Sequence, residues 1–581
     1  MADFKKEKPA YKLLAVKRVP GRRRTMLLIA IALLTMIGCR KDDKTNADEI
    51  KLQQVLDALG GKDIINQVHT VSYTANAASF EYEQAGPTVA DPINVNNHNY
   101  NFSAELNTRK VRLEYSAINF HYPFVYDAKG ALIVINDKEG FISGEYNWSS
   151  YYLGTVAPAA LFSSRIEAIL KNQMMADPLE LLKEVLSRQS ASSTTTNGAF
   201  SIPTRIEGLN IELVIDPATH LPSRARIPES DYLLGDVSFE IAYEDWVNTS
   251  GARYPSKLSF TLHGKKIKSE VLTNIVLNPA LPANNFSLQV PYERLAYNYD
   301  EGNLGIYASQ WYHRLFAGGI GLDQPLNNGA LVLDKFDLST FGMPSQMLGP
   351  NLRLIGRPDA SNWAAAINTS TGILVVEAPL NPGWTRSILN AVHTAFPGKK
   401  IIGVVSSHTH YDHFGGIREM AQEAGTVYVG KGGTLFADSV FNSKHTLLPD
   451  KLSLNATPVA VKEVTGITSV DNGAVKIHLL KTKNGAGNPF SHDNPHSWDM
   501  VVVYVPEYEA LIQADFLYAG IFLKIWKGPT AHSFTGPARE ELKKRANFLL
   551  DYIQEKNLKV SKIIGIHGGL ATLDDLKEVA K

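Results

Sequence analysis

The chain has 581 residues, too many for one ordinary domain, and its 58 basic side chains balance 58 acidic ones to a formal charge of zero. That balance excludes the broad positive field of a general nucleic-acid binder. A single cysteine, Cys39, excludes a disulfide framework and a thiolate metal cage, so any metal site must be built from histidine and carboxylate.

At the N-terminal end, Arg22, Arg23 and Arg24 precede the apolar run MLLIAIALLTMIGC, Met26 to Cys39. Its core of about 13 residues falls short of the roughly 20 that a spanning helix needs. The basic flank, the short core and small Gly38 before Cys39 resemble a bacterial lipoprotein signal. The resemblance implies that residues 1–38 are removed, that Cys39 is lipidated, and that residues 39–49 tether the protein to a membrane. RRTML (Arg23 to Leu27) faintly resembles a twin-arginine export signal, and RKDD (Arg40 to Asp43) the tag of surface-exposed lipoproteins. The expected location is therefore the bacterial outer membrane, facing the periplasm or the cell surface.

Residues 50–297 read as a mainly-β domain. VSFEIAYEDW places Val237, Phe239, Ile241 and Tyr243 on one face of a strand, and KLSFTLHG does the same with Leu258, Phe260 and Leu262. A helical stretch from Leu161 to Leu186 is broken at Pro178, and SASSTTTNG (Ser190 to Gly198) comes after it as a polar loop. An antiparallel sheet around helices fits this pattern. With DPATHLPSRARI (Asp216 to Ile227) and GARYPSKLSF (Gly251 to Phe260), it loosely resembles half-barrel carriers of the lipoprotein-sorting type, which hold acyl chains. The other reading is a structural β domain that positions the second half of the chain.

Residues 298–343, rich in Gly, Asn and Asp, read as a connecting segment, and residues 344–581 as a second domain. There NLRLIG (Asn351 to Gly356), AAAINTSTGILVVEA (Ala364 to Ala378) and KKIIGVVSS (Lys399 to Ser407) read as strands. Ser387 to Phe396 and Gly416 to Gly425 have helical spacing. That alternation points to helices covering a sheet.

Where the strand IIGVVSS ends, the loop HTHYDHFGG packs three histidines and an aspartate into six residues. His408 and His410, two apart on extended backbone, point the same way, while Asp412 and His413 turn toward a second point. Such a cluster suits two metal ions, and three further candidates lie at the ends of apolar strands: His496, Asp515 and His567.

HTHYDH followed by His496, Asp515 and His567 in that order resembles the metallo-β-lactamase superfamily. The resemblance spans roughly Pro344 to the C-terminus and implies an αββα sandwich of two mixed sheets between helices. It implies that His408, His410 and His496 bind one zinc, that Asp412, His413 and His567 bind another, and that Asp515 bridges them. Two Zn²⁺ ions would then activate a hydroxide and clamp a developing oxyanion, with Asp412 and Asp515 as the catalytic carboxylates. Nitrogen and oxygen donors accept iron or manganese as well. His492 competes with His496 for the third-ligand role. His496 is preferred because it lies four residues before a strand and is followed by Ser497 and Asp499, as in the superfamily.

Three departures shape the functional expectation. Glu377 in VVEAPL stands where the superfamily usually has an aspartate, so it either replaces that buttress or marks a slip of register. Asp515 stands where many true β-lactamases have cysteine, which disfavours antibiotic hydrolysis. Only 82 residues separate His413 from His496, too few for the inserted domain of the superfamily's nucleic-acid processors. Phe414 and Trp498 join the apolar stretch Phe516 to Gly536 in an expected wall over the metals, where Phe522, Ile525 and Trp526 pack a substrate and Lys524 or Lys527 meets a carboxylate; the other reading is that part of the stretch is an ordinary buried strand or helix.

The expectation is a membrane-anchored hydrolase with a binuclear zinc centre. Its substrate is a small molecule with an ester, lactone, thioester or amide-type carbonyl. The alternatives are a non-catalytic metal-containing lipoprotein that carries an acyl compound, and a phosphodiesterase or β-lactamase of the same fold.

Overall fold

The computed structural model describes residues 39–81, 93–119, 126–143, 159–160, 163–187, 194–196, 199–206, 209–288, 343–356, 362–455, 458–480, 496–497, 499–520, 523 and 537–581. The segments expected as signal (1–38) and, except for residue 343, as connector (298–343) lie outside the described residues. Among the described residues no helix is long and apolar enough to cross a membrane. The expected tether begins a helix, α1 (Cys39–Ala58), followed by α2 (Lys62–Gln67). Residues 54–581 form one compact unit.

Its first part is mainly β. The strands are β1 (Thr70–Glu81), β2 (Ile93–Glu105), β3 (Lys110–Asn119), β4 (Tyr126–Asn136), β5 (Glu139–Ser143) and β6 (Ala159–Ala160). After helices α3 (Ser163–Ala176) and α4 (Pro178–Ser187) come β7 (Thr194–Thr196), β8 (Ala199–Ile206), β9 (Leu209–Ile215), β10 (Pro222–Asp231), β11 (Gly235–Thr249), β12 (Ala252–Leu262) and β13 (Lys265–Leu277). All thirteen form one sheet in the order β6-β5-β4-β3-β2-β1-β13-β12-β11-β10-β9-β8-β7.

Alternation on β11 is as expected: Val237, Phe239, Ile241 and Tyr243 are buried and the residues between them half-buried. Leu258, Phe260 and Leu262 of β12 join the same core. The helical break is real too. Pro178 opens α4, where its missing N–H costs nothing, and Asp177 accepts from the Leu179 and Glu180 amides. The helices pack on the sheet: Tyr243 donates to the Met175 carbonyl and Tyr254 to Asp177. One expectation needs correcting. Thr194–Thr196, read as loop, is a short edge strand, because β-branched threonines pair readily with Ala199–Ser201.

Within this domain burial, reinforced by Lys268, pushes the His98 imidazole down to about 3. His98 stays neutral in the folded protein where the unfolded chain takes up a proton, so stability falls as pH drops below about 6.5. Between pH 7 and 4.5 this one group accounts for about 2–3 kcal/mol of lost stability. Urea unfolding of His98→Gln at both pH values checks it: the variant should lose less on acidification, and an unchanged pH slope would refute the assignment.

The second part builds two mixed sheets. The first takes β14 (Ser345–Gly349), β15 (Leu352–Ile355), β16 (Ala364–Asn368), β17 (Ile373–Val376), β18 (Ile401–Val405), β19 (Thr426–Gly430) and β20 (Ala460–Val464) in chain order. The second takes β21 (Ile467–Val470), β22 (Val475–Leu479), β23 (Val501–Val505), β24 (Ala510–Gln513), β25 (Lys562–Gly565) and β26 (Gly569–Thr572). Helices α5 (Pro382–Ala395), α7 (Ile417–Ala424) and α8 (Thr434–Asn442) pack on the first sheet, the last two after the single turn α6 (Tyr411–Phe414). After α9 (Lys451–Asn455), helices α10 (Pro537–Glu555) and α11 (Leu573–Val579) pack together, and α11 also lies on β26 of the second sheet. One apolar core runs through both sheets.

Two readings are corrected here. Ala364 to Ala378 is a hairpin, not one strand: it turns at 369–372, where Thr369 Oγ1 donates to the Gly372 carbonyl at 2.7 Å. The helix expected from Ser387 starts at Pro382, because Asn381 caps the Trp384 amide at 3.0 Å and proline occupies the first turn.

Candidate metal centre

All seven sequence-predicted ligands converge at one edge of these two sheets. His408 and His410 leave the end of β18, and Asp412 and His413 sit on α6. His496 precedes β23, Asp515 follows β24, and His567 follows β25. Two glycines allow the tight turn behind α6. A Cβ on Gly415 would lie 2.0 Å from the Leu380 carbonyl oxygen, and one on Gly416 would lie 1.8 Å from Thr385 Oγ1.

Three imidazole nitrogens face one another on one side. His408 Nε2 lies 2.9 Å from His410 Nδ1, and His496 Nε2 lies 3.1 Å from each of them. On the other side His413 Nε2 lies 3.2 Å from His567 Nε2 and 3.3 Å from Asp412 Oδ2, and His567 Nε2 lies 3.4 Å from the same oxygen. Asp515 stands between the groups, with Oδ2 2.9 Å from His413 Nε2, 3.6 Å from His408 Nε2 and 3.7 Å from His496 Nε2. Its Oδ1 lies 3.4 Å from His567 Nε2 and accepts from the Tyr518 hydroxyl at 2.7 Å.

Burial, with the neighbouring histidines adding to it, pushes His408 well below the ordinary imidazole value. Burial also lowers His410 and His496. These three are neutral at pH 7 and turn lone pairs toward a common point. For Asp412 and Asp515 burial alone would raise the pKa, but the surrounding histidines outweigh it and hold both carboxyls well below their usual range. Burial likewise opposes the proton on His413 and His567, yet the carboxylates Asp412 and Asp515 win and raise both. A cation at this second position would displace those protons.

The donor set fits transition-metal ions. Asp515 Oδ2 is buried among three imidazole nitrogens drawn from both groups, at 2.9, 3.6 and 3.7 Å, a concentration of donor atoms that a cation would satisfy. Donors around tetrahedral zinc at 2.0–2.1 Å stand roughly 3.3 Å apart, close to the spacings found here. Three groups of His and Asp side chains meet the geometric requirement for holding an ion: His408 with His410 and His496, His408 with His413 and Asp515, and Asp412 with His413 and His567.

Several of these side chains are oriented by polar partners. Glu377, buried on β17's exit, lies 3.1 Å from His413 Nδ1 through Oε2 and accepts from the Ser407 amide through Oε1 at 2.8 Å. The choice left open by VVEAPL is thereby settled: the glutamate is the buttress. Ser407 Oγ meets His408 Nδ1 at 3.0 Å, and Asn362 donates to the Asp412 carbonyl at 2.9 Å. Asp499 Oδ2 accepts from both the amide and the hydroxyl of Thr409. Asn362 and Tyr518 were missed in the sequence. Tyr518 stacks on the His567 ring at 4.9 Å, and no local pattern marks either residue.

Of the expected wall, Phe414 must be withdrawn, since it is fully buried and packs on Phe436 in the core. Trp498, Phe522, Lys524, Ile525, Trp526, Lys527 and the competing His492 lie outside the described residues.

No curated protein matches the chain. Among solved structures, that of the DIM-1 metallo-beta-lactamase is 16% identical, with 41% of this chain and 95% of that one covered and a TM-score of 0.28. TMB-1 is 15% identical with the same coverage and a TM-score of 0.27. A family model described as the Metallo-beta-lactamase superfamily matches residues 380–554, within which six of the seven converging side chains fall.

Proposed function

We propose that the protein is a hydrolase whose centre takes two zinc ions, one held by His408, His410 and His496 and one by Asp412, His413 and His567, with Asp515 bridging. The observation that supports this reading most is the buried Asp515 Oδ2, flanked by imidazole nitrogens of both groups. When bound, the ions supply Lewis acidity toward a substrate oxygen and bring the ionisation of water within reach of neutral pH. The chain does the rest. Asp412 would hold an ion through Oδ2, between His413 and His567, and its charge would help to stabilise the proton and the leaving group. Glu377 holds His413 with Nε2 turned inward, and six of the seven side chains are buried with His496 half-buried, which limits bulk water.

The preferred substrate carries an ester, lactone, thioester or amide-type carbonyl. This preference rests on the apolar composition of Phe516 to Gly536 and on the neutral net charge. The test is a panel of chromogenic esters, lactones, thioesters, β-lactams and phosphodiesters given to zinc-loaded chain lacking residues 1–39. Close to two metals per chain and turnover of carboxyl-type substrates are expected, with turnover lost in folded His410→Ala. Phosphodiester hydrolysis far above the rest would reverse the substrate class. No turnover by fully metallated protein would favour a binding protein for an acyl compound. Metal analysis after growth with zinc, iron or manganese decides the ion.

The export reading rests on Met26 to Cys39. Cys39 carries lipid and holds the protein on a bacterial envelope membrane. Fractionation of Cys39→Ser should find it released or unprocessed, and native protein soluble in the cytoplasm would end this reading.

A further inference from the structure

The β domain does not merely precede the metal-binding domain. The tip of its β10–β11 hairpin enters that domain's core: Leu233 is fully buried in the shared apolar cluster, and Tyr232 and Leu234 pack against it. Two aspartates pin the tip. Asp236 accepts from the Thr446 and Leu447 amides at 3.0 and 2.9 Å, neither of which is among the seven converging residues or adjacent to one in sequence. Asp231 accepts from the Leu233 and Leu234 amides, both at 2.8 Å, and from the hydroxyl of Tyr411 at 2.9 Å. Beside the tip a pocket of about 300 Å³ opens among Ser230, Tyr232, Arg386, His445 and Leu448. The seam is not closed by continuous packing there, and the polar anchors carry it.

Tyr411 sits between His410 and Asp412. It is fully buried, meets the Tyr232 ring edge to face at 5.6 Å, and begins the four-residue α6 whose N-cap makes no side-chain bond. One turn of helix has no stability of its own, so its rotation about its axis must be set by tertiary partners. Asn362 holds the Asp412 carbonyl and Glu377 holds the His413 ring, both from the metal-binding domain. Asp231, 180 residues before Tyr411, holds the remaining face from the other sheet.

We propose that Asp231 is a positioning residue for the metal centre, acting through Tyr411 to set the direction of Asp412 and His413. The β domain thereby becomes part of the scaffold of the site. The inference rests on the metal reading above.

The experiment measures zinc affinity by chelator competition and the absorption spectrum of the cobalt-substituted full chain. Wild type is compared with Tyr411→Phe, Asp231→Ala, Asp231→Asn and Asp236→Ala. Tyr411→Phe, which keeps the ring and removes only the hydroxyl, and Asp231→Ala should each weaken zinc by about tenfold or more and alter the cobalt spectrum. Their combination should be no worse than either alone. Asp231→Asn keeps an acceptor oxygen and should recover most of the affinity. Asp236→Ala should lower the unfolding midpoint and leave affinity unchanged. Zinc binding within about twofold of wild type and an unaltered cobalt spectrum in Tyr411→Phe would overturn the proposal, as would an equal loss in Asp236→Ala. Wild-type protein that takes up no metal would overturn the metal reading itself, whereas loaded wild type with indifferent variants removes only the positioning role.

Discussion

Asp515→Asn should release at least one of two metals and abolish most hydrolysis while leaving the fold intact. Asparagine is the informative replacement because Asp515 sits at φ +56°, in the left-handed region, where asparagine is among the best-tolerated side chains and alanine adds strain. The variant therefore keeps the backbone, the volume and an acceptor for Tyr518. What it removes is the negative charge that three histidines stabilise. A residue that only supports a ligand costs about 10–100-fold in metal affinity or activity when lost. Asp515 is placed as a ligand to both positions, so the loss should exceed that range. Metal analysis and activity on the same preparation check it, and two tightly held metals in Asp515→Asn would refute the bridging assignment.

Glu377→Gln should cost about 10–100-fold in metal affinity although it changes one atom. The carboxylate serves two donors at once, the Ser407 amide and His413 Nδ1–H. A glutamine amide has one acceptor, so in either orientation its NH₂ faces an N–H donor. If it turns toward His413, the ring either rotates or moves its proton to Nε2, the atom that faces Asp515. Glu377 itself is fully buried and held at φ +81°, a costly conformation that the surrounding structure sustains. Chelator competition on Glu377→Gln, with Glu377→Asp as the variant that keeps the charge, measures the effect. Wild-type affinity in Gln would show that the buttress is dispensable.

The convergence of the seven side chains was legible because candidate metal donors cluster locally in sequence. Four of them occupy 408–413, and of the other three Asp515 and His567 follow apolar strands and His496 precedes one, so that hydrophobic runs announce them. Strands β11 and β12 were legible for a similar reason, since one face is buried and period-two alternation results. Glu377 was visible only as an anomaly, because its partner His413 is 36 residues away and nothing in VVEAPL announces a buried acid. The start of α5 was written in Asn381 and Pro382 but overshadowed by the stronger apolar spacing from Ser387 onward. Asp231 was not legible at all. Its local environment, DYLLGD, reads as a hairpin turn, and that role is real, but the bond to Tyr411 depends on how two sheets meet.

The strand order of the large sheet has a consequence for how the chain is made. Two runs of neighbouring hairpins, β1 to β6 and β7 to β13, are local, while the single joint between them pairs Val71 with Leu277. During synthesis β1 emerges first and waits roughly two hundred residues for its partner, a separation whose closure entropy must be met before any pairing rewards it. Among the described residues the outer edges of the sheet are the two-residue β6 and the three-residue β7, short edges that offer little to another chain. In a nascent or truncated chain the exposed edge is instead the twelve-residue β1. A ribosome stalled before β13, or a protease cut within β12, therefore turns a well-guarded sheet into a template for aggregation.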